Sequence, residues 1–318
     1  MALSNEAMKS YKKAQKVQKK KRRNKHWFFL RKGDSNKEVC SKIFTQLMAV
    51  VLIVCFVILF DYFKAQFDNQ QLNGTLQNLY GNVSNVFTPN ELLPNAKELL
   101  DINKDTVGWV KIDDTKIDVP VVLRNDEKDG NTYYLTHNFN GEKAKAGVIF
   151  ADYRTIITAK EQSSNIVLYG HNEKDNTMFG DLDKYKHKLE FYKAHPIINF
   201  NTNYEVGQYK IIACFVTNVL PKQAKDGVVF DYQNYIDMDK KRYKVFIDNV
   251  MLRSQFNTGV DFQYGDKFLT LSTCSSEFDP SRFVVVARKV RKGEDATVDT
   301  SLATVNKKAK EPDWDIIY

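Results

Sequence analysis

The sequence predicts a mostly β globular domain, a barrel or a sandwich, preceded by one membrane-spanning helix. Nine short segments favouring β structure lie at 107–112, 119–123, 132–135, 148–151, 165–169, 197–200, 208–217, 267–273 and 283–290. Gly, Asn, Asp and Pro separate them, with no regular long helices between, a spacing that suits a mostly antiparallel barrel or sandwich. Residues 43–60 are 18 consecutive positions without a charge. One clear helical pattern interrupts the strands, at about 239–254.

A chain of 318 residues has room for one large domain plus extras. The formal net charge of +8 hints at nucleic acid until it is divided. Residues 1–42 hold 14 Lys/Arg against 3 Asp/Glu, which leaves −3 for the remainder. The basicity therefore belongs to a tail, and Lys19-Lys20-Lys21-Arg22-Arg23 is better explained by the span that follows than by a nucleic-acid partner. At about 1.5 Å per residue, residues 43–60 cover roughly 27 Å, near the thickness of a bilayer core. A cleaved signal peptide is the alternative. The apolar run and its basic leader are both long for one, and Asp61-Tyr62-Phe63-Lys64 offers no small-x-small cleavage site. The positive-inside rule then makes 1–42 a cytoplasmic tail and puts residues from about 61 onward outside.

Residues 61–90 read as a stalk or helical linker, with Phe63, Phe67, Leu72, Leu76, Leu79 and Tyr80 near helical spacing; a disordered spacer is the alternative for the Asn/Gln-rich part. Phe87-Thr88-Pro89 breaks the pattern, and 92–102 reads as a short helix opening a domain that runs over 91–291. Asp237-Met238-Asp239 supplies capping chemistry for the later helix, whose Tyr243, Phe246, Ile247, Val250 and Met251 form a core-facing stripe. Residues 292–318 read as a loosely held C-terminal tail in which Trp314, Ile316, Ile317 and Tyr318 are able to dock. Of four cysteines, Cys40 lies beside the span and Cys55 within it. A disulfide between Cys214 and Cys274 is allowed by number, but Cys214 sits in an apolar strand pattern that suits a core thiol.

The chemistry gathers on Thr270-Leu271-Ser272-Thr273-Cys274. Alternation puts Phe268, Thr270, Ser272 and Cys274 on one face, with Cys274 at the strand end. Seven loop-forming residues later, Arg282 opens Phe283-Val284-Val285-Val286. An antiparallel hairpin brings Cys274 and Arg282 to one sheet edge, where a guanidinium favours a thiolate or stabilises an oxyanion. A cysteine nucleophile also needs a base. His171 follows the strand Ile166-Val167-Leu168-Tyr169 and Gly170, so it too sits at a strand end. His137 is the runner-up, and His187 and His195 lie among Lys and Tyr on an expected surface. In this reading Cys274 attacks a carbonyl carbon, His171 protonates the leaving amine and Arg282 holds the oxyanion. No metal or cofactor is expected: metal-ligand spacing, a phosphate loop and CxxC pairs are absent from the sequence, and Asp126, Glu127 and Asp129 read as a solvated turn.

These residues resemble the sortase family, specifically its class B. The resemblance runs over roughly 91–291 and is carried by Thr270 to Cys274 with Arg282 downstream, and by Tyr169-Gly170-His171-Asn172 followed by Met178-Phe179-Gly180-Asp181-Leu182. Gly108-Trp109-Val110 and Phe150-Ala151-Asp152-Tyr153-Arg154 support it. It implies a closed barrel of about eight strands with added helices, and a membrane-anchored cysteine transpeptidase at the outer face of a Gram-positive cell. Cys274 is then nucleophile, His171 general acid/base, Arg282 oxyanion or substrate stabiliser, and Ser272 a substrate contact. The implied partners are secreted proteins with an Asn-Pro-x-Thr or Pro-x-Thr-Gly type sorting motif, cut through a thioester and passed to a peptidoglycan precursor amine. Hydrolytic release to water, polymerisation of pilins and a scaffold without chemistry are the competing readings.

Overall fold

The computed structural model describes residues 5–24, 28–81, 90–275 and 277–317. The expected break at Phe87-Thr88-Pro89 falls outside them, as does Tyr318. The chain divides into two compact units, residues 1–67 and 68–318.

The first unit holds α1 (Asn5–Asn24) and the start of α2 (Asn36–Gly81), whose last turns, from residue 68 on, belong to the second. Ser35 and Glu38 cap the start of α2: the Ser35 amide donates to the Glu38 carboxylate and the Glu38 amide to Ser35 Oγ, at 3.1 and 3.4 Å. The uncharged segment lies in α2, which is long and apolar enough to cross a membrane. Its apolar side chains are largely exposed, from Leu47 to Phe60.

The second unit is a closed barrel built from β1 (Thr106–Lys111), β2 (Asp118–Val122), β3 (Ile149–Ala151), β4 (Asn165–Tyr169), β5 (Ile197–Thr202), β6 (Gln208–Asn218), β8 (Phe268–Cys274) and β9 (Ser281–Lys289). The order is β1-β2-β3-β4-β8-β9-β6-β5, closed by pairing of β5 with β1. Eight strands suffice to enclose an interior filled by side chains. Six seams are antiparallel, but β2–β3 and β4–β8 run parallel. Neither parallel pair is joined by a hairpin: residues 123–148 separate β2 from β3, and residues 170–267, which carry α4 (Leu189–Ala194), β5 and β6, separate β4 from β8.

Both faces of the central strands are covered. Leu269 and Leu271 of β8 point into the barrel with Val285, Phe283, Cys214 and Ile211. Phe268, Val284 and Phe215 point out, against Phe246, Ile247 and Val250 of α5 (Lys240–Arg253). Asp239 caps α5 by accepting the Arg242 amide at 2.7 Å. A third cluster joins α3 (Pro94–Ile102) to the sheet and to the last turns of α2: Leu76 and Leu99 are buried with Val122, Phe150 and Trp109, and Tyr80 stacks on Trp109 at 4.3 Å.

Two local expectations are corrected. Residues 132–135 are not a strand; Tyr133–Leu135 form a 3₁₀ turn whose amides bond within the loop, with Tyr133 N donating to Asp129 O and Thr136 N to Tyr133 O. Tyr134 supplies the apolar signal by burying its ring while its hydroxyl donates to Asp105 at 2.8 Å. The segment after Arg291 is also better held than expected. Thr304–Val305 (β10) pairs with Phe256–Asn257 (β7), Ala303 is buried, and Trp314 of the short helix α6 (Trp314–Ile317) meets Phe278 edge-on at 5.6 Å.

Part of that hold is electrostatic. Arg288 of β9 is wholly buried, yet its guanidinium forks onto both Glu294 oxygens, at 2.5 and 2.8 Å, and onto Asp261 at 3.0 Å. Lys210 adds a contact to Glu294 at 2.8 Å. Arg288 holds the Glu294 carboxyl far below the ordinary glutamate value of 4.5. A group depressed in this way stabilises the fold fully above its unfolded value, and the contribution is lost as pH falls. Glu294→Gln, which leaves a buried guanidinium short of its partner, is expected to lower stability by about 1–3 kcal/mol at pH 7. In urea unfolding series of both forms, the difference should shrink steadily below the ordinary glutamate value.

Candidate active site

Strand parity places the reactive residues. The face of β8 that carries Phe268 also carries Thr270, Ser272 and Cys274. Thr270 donates to Asn165 Oδ1 at 2.9 Å, and Ser272 Oγ shares a 2.6 Å hydrogen bond with the Tyr232 hydroxyl. Cys274 is the last residue of β8 and is exposed, as an attacking thiol must be. Arg282 lies directly opposite it in the antiparallel register with β9.

His171 arrives from the other side. β4 runs parallel to β8 with Tyr169 beside Ser272, so two residues further along both strands His171 comes level with Cys274. Hydrogen bonds staple the two ends together. Gly170 N donates to Ser272 O at 3.3 Å, Thr273 Oγ1 to Gly170 O at 2.8 Å, and Asn172 Nδ2 to Cys274 O at 2.9 Å. Gly170 has to be glycine because a Cβ there would stand 2.8 Å from the Phe179 ring. That ring, with Met178 and Leu182, fills the barrel beneath the site.

The imidazole is oriented by the corrected 3₁₀ turn. His171 Nε2 lies 2.8 Å from the carbonyl oxygen of Leu135, which can only accept, so Nε2 carries hydrogen. In the neutral ring this leaves Nδ1 able to take a proton, which the charged ring can then give.

Cys274, His171, Arg282 and Ser272 all line one groove of about 390 Å³. One wall comes from Asn131, Leu135 and Tyr169, the other from residues 217–219 and 229–233. Tyr232 is the contributor that the sequence reading missed. Burial pushes its phenol up to about 12, with Ser272 and Arg282 pulling down and Cys274 pushing up, so it stays protonated and able to donate. Its only sequence signal was an aromatic spacing, Phe230-Asp231-Tyr232, in an otherwise unpatterned stretch.

The other candidates are not brought in. His137 stacks on Tyr133 at 4.0 Å and bonds the Tyr133 carbonyl, and His195 and His187 lie toward Asp114 and Glu311. None of the three lines the groove. Cys214 is buried and free, its thiol pushed well up by desolvation, so no disulfide ties up Cys274.

The Sortase domain profile matches residues 110–290, more than half of the chain. The chain belongs to the sortase family. It is similar to sortase B of Listeria monocytogenes, at 35% identity over 207 residues, covering 64% of this chain and 76% of the relative. Among solved structures, sortase B from B. anthracis in complex with AAEK1 superposes with a TM-score of 0.61 at 30% identity, covering 72% of this chain and 99% of that one. A Staphylococcus aureus sortase B–substrate complex gives 0.58 at 29%, covering 71% and 98%. This places the sortase in class B and makes it a cysteine transpeptidase.

Asn172→Ala should loosen the staple between the two strand ends while leaving the barrel intact. The sortase would then lose about tenfold in kcat, equivalent to ~1.4 kcal/mol in the barrier. A melting curve within a few degrees of the parent would show that the loss is local.

Proposed function

We propose that Cys274 is the nucleophile, His171 the general acid/base and Arg282 the oxyanion stabiliser of this sortase. The observation that carries the reading is the register of β4, β8 and β9, which delivers sulfur, imidazole and guanidinium to one groove from three strand ends. The Cys274 thiolate adds to the carbonyl carbon of the scissile peptide bond, and the oxyanion forms beside Arg282. As the tetrahedral species collapses, the C–N bond breaks and the imidazolium of His171 passes its proton to the departing amine, leaving a thioester. An incoming amine then attacks the thioester, gives its proton to His171 and expels the thiolate. The amide product leaves with enzyme and charges restored.

The substrates in this reading are secreted proteins with a C-terminal sorting motif of the Asn-Pro-x-Thr or Pro-x-Thr-Gly type, and the acceptor is a peptidoglycan precursor amine. Ser272, held by Tyr232, presents a fixed hydroxyl to the peptide. The span within α2 anchors the enzyme in the plasma membrane, with the +11 tail inside and the barrel outside, where wall precursors are found.

Cys274→Ala is expected to abolish thioester formation with a sorting peptide, detected by mass spectrometry, without loss of fold. Adding an amine acceptor to the parent enzyme should divert product into the amide. Product released only to water would overturn the transfer step, and full peptide cleavage by the alanine variant would overturn the assignment of Cys274.

A further inference from the structure

The two walls of the groove are joined by an ion pair, with a buried carboxylate and a half-exposed guanidinium, that plays no part in bond making. Asp152, just past the end of β3, is wholly buried. Its carboxylate accepts from Arg154 through Nε and Nη2, both at 2.8 Å, and through the Arg154 amide at 3.1 Å. Asn131 Nδ2 at 3.0 Å and the Tyr169 hydroxyl at 2.9 Å complete the set. Asn131 and Tyr169 line one wall. The same guanidinium reaches across to the other, with Nη1 donating to Asn234 Oδ1 at 2.9 Å and Nη2 to the Gln233 carbonyl at 2.8 Å. Gln233 and Tyr232 line that second wall, on one 3₁₀ turn (Tyr232–Asn234).

This crossing lies up the strands from the chemistry. Tyr169 and Ser272 sit two residues before His171 and Cys274 on parallel strands, roughly 7 Å back at about 3.3 Å per residue. The crossing itself makes no hydrogen bond to Cys274, His171 or Arg282. Stability alone does not call for an ion pair with a buried carboxylate, since apolar replacements of similar volume are often as stable. What the planar fork adds is a fixed distance between the groups it joins. Burial pushes Asp152 up, but Arg154 and Tyr169 hold it below the usual carboxylate range, so the fork stays charged at neutral pH.

We propose that Arg154 is a positioning residue that, through Asp152, sets the separation of the two groove walls and so decides which sorting-peptide side chains fit between Tyr169 and Tyr232. The inference rests on the reading of the groove as the peptide site.

The test uses the detergent-solubilised full-length enzyme with peptides of the Asn-Pro-x-Thr and Pro-x-Thr-Gly types. Arg154→Gln should raise KM for the preferred peptide about tenfold, leave kcat within about twofold and flatten discrimination between the two types. Alkylation of Cys274 by iodoacetamide, followed by mass spectrometry of its peptide, should keep the parent rate. Arg154→Lys, with the charge but not the fork, should fall between. Unchanged KM and selectivity overturns the proposal, as does a fall in kcat and alkylation rate at constant KM. If Arg154→Gln fails to fold, Asn234→Ala decides in its place, because it removes one of the two crossing bonds and leaves Asp152 paired: a smaller rise in KM in the same direction is expected, and an unchanged KM and selectivity overturns the proposal. A parent enzyme that forms no thioester with either peptide overturns the reading of the groove instead.

Discussion

The barrel and its chemistry both depend on β8 being paired on each side in a fixed register, parallel to β4 and antiparallel to β9. A slip of one residue in a strand turns every side chain to the opposite face. Here it would send Cys274 toward the barrel interior and Leu271 outward. The interior forbids this: Leu269, Leu271, Phe283 and Val285 interlock inside, and Phe268, Val284 and Phe246 interlock outside. Register is thus enforced by packing on two faces at once, and the reactive groups inherit it.

Between those apolar layers, polarity is admitted only where it is answered. Thr270 finds Asn165, Ser272 finds Tyr232 and Thr273 finds the Gly170 carbonyl, so a strand buried nearly to its end carries three hydroxyls at low cost. The exposed exception is Cys274. The loop beyond it is held from outside, by Lys186 on Glu277 at 3.1 Å and by the Trp314 ring on Phe278. The site therefore joins a rigid floor of strand ends to walls built from excursions of the chain, where one strand scaffold can carry different substrate preferences.

A division of labour follows from distance. The staples at Gly170, Thr273 and Asn172 act at the ends of β4 and β8, beside His171 and Cys274, whereas the Asp152–Arg154 crossing acts two residues back, on the walls. At the Asp152 end the bonds are charge-assisted and the carboxylate is buried, so water does not compete for it there. The wholly buried Arg288 plays a comparable part in tying the segment beyond β9 to Asp261.

Much of this was legible in the residues because it is local. Short β-favouring segments bounded by Gly, Asn, Asp and Pro located all eight barrel strands, the capping aspartate and apolar stripe located α5, and the hairpin signal paired Cys274 with Arg282. His171 could be singled out because Gly170 ends its strand, and family resemblance supplied closure of the barrel. What only tertiary structure decided is long-range. The parallel seam between β4 and β8 joins residues about a hundred positions apart, and no periodicity encodes which strand a neighbour will be. Tyr133–Leu135 carried an apolar signal that one buried ring explains, so its use as a carbonyl support for His171 could not be read from it. Tyr232, Arg154 and Glu294 were missed for the same reason: a hydrogen bond across the fold leaves no spacing in the chain, since its partners are brought together only when the core excludes water around them.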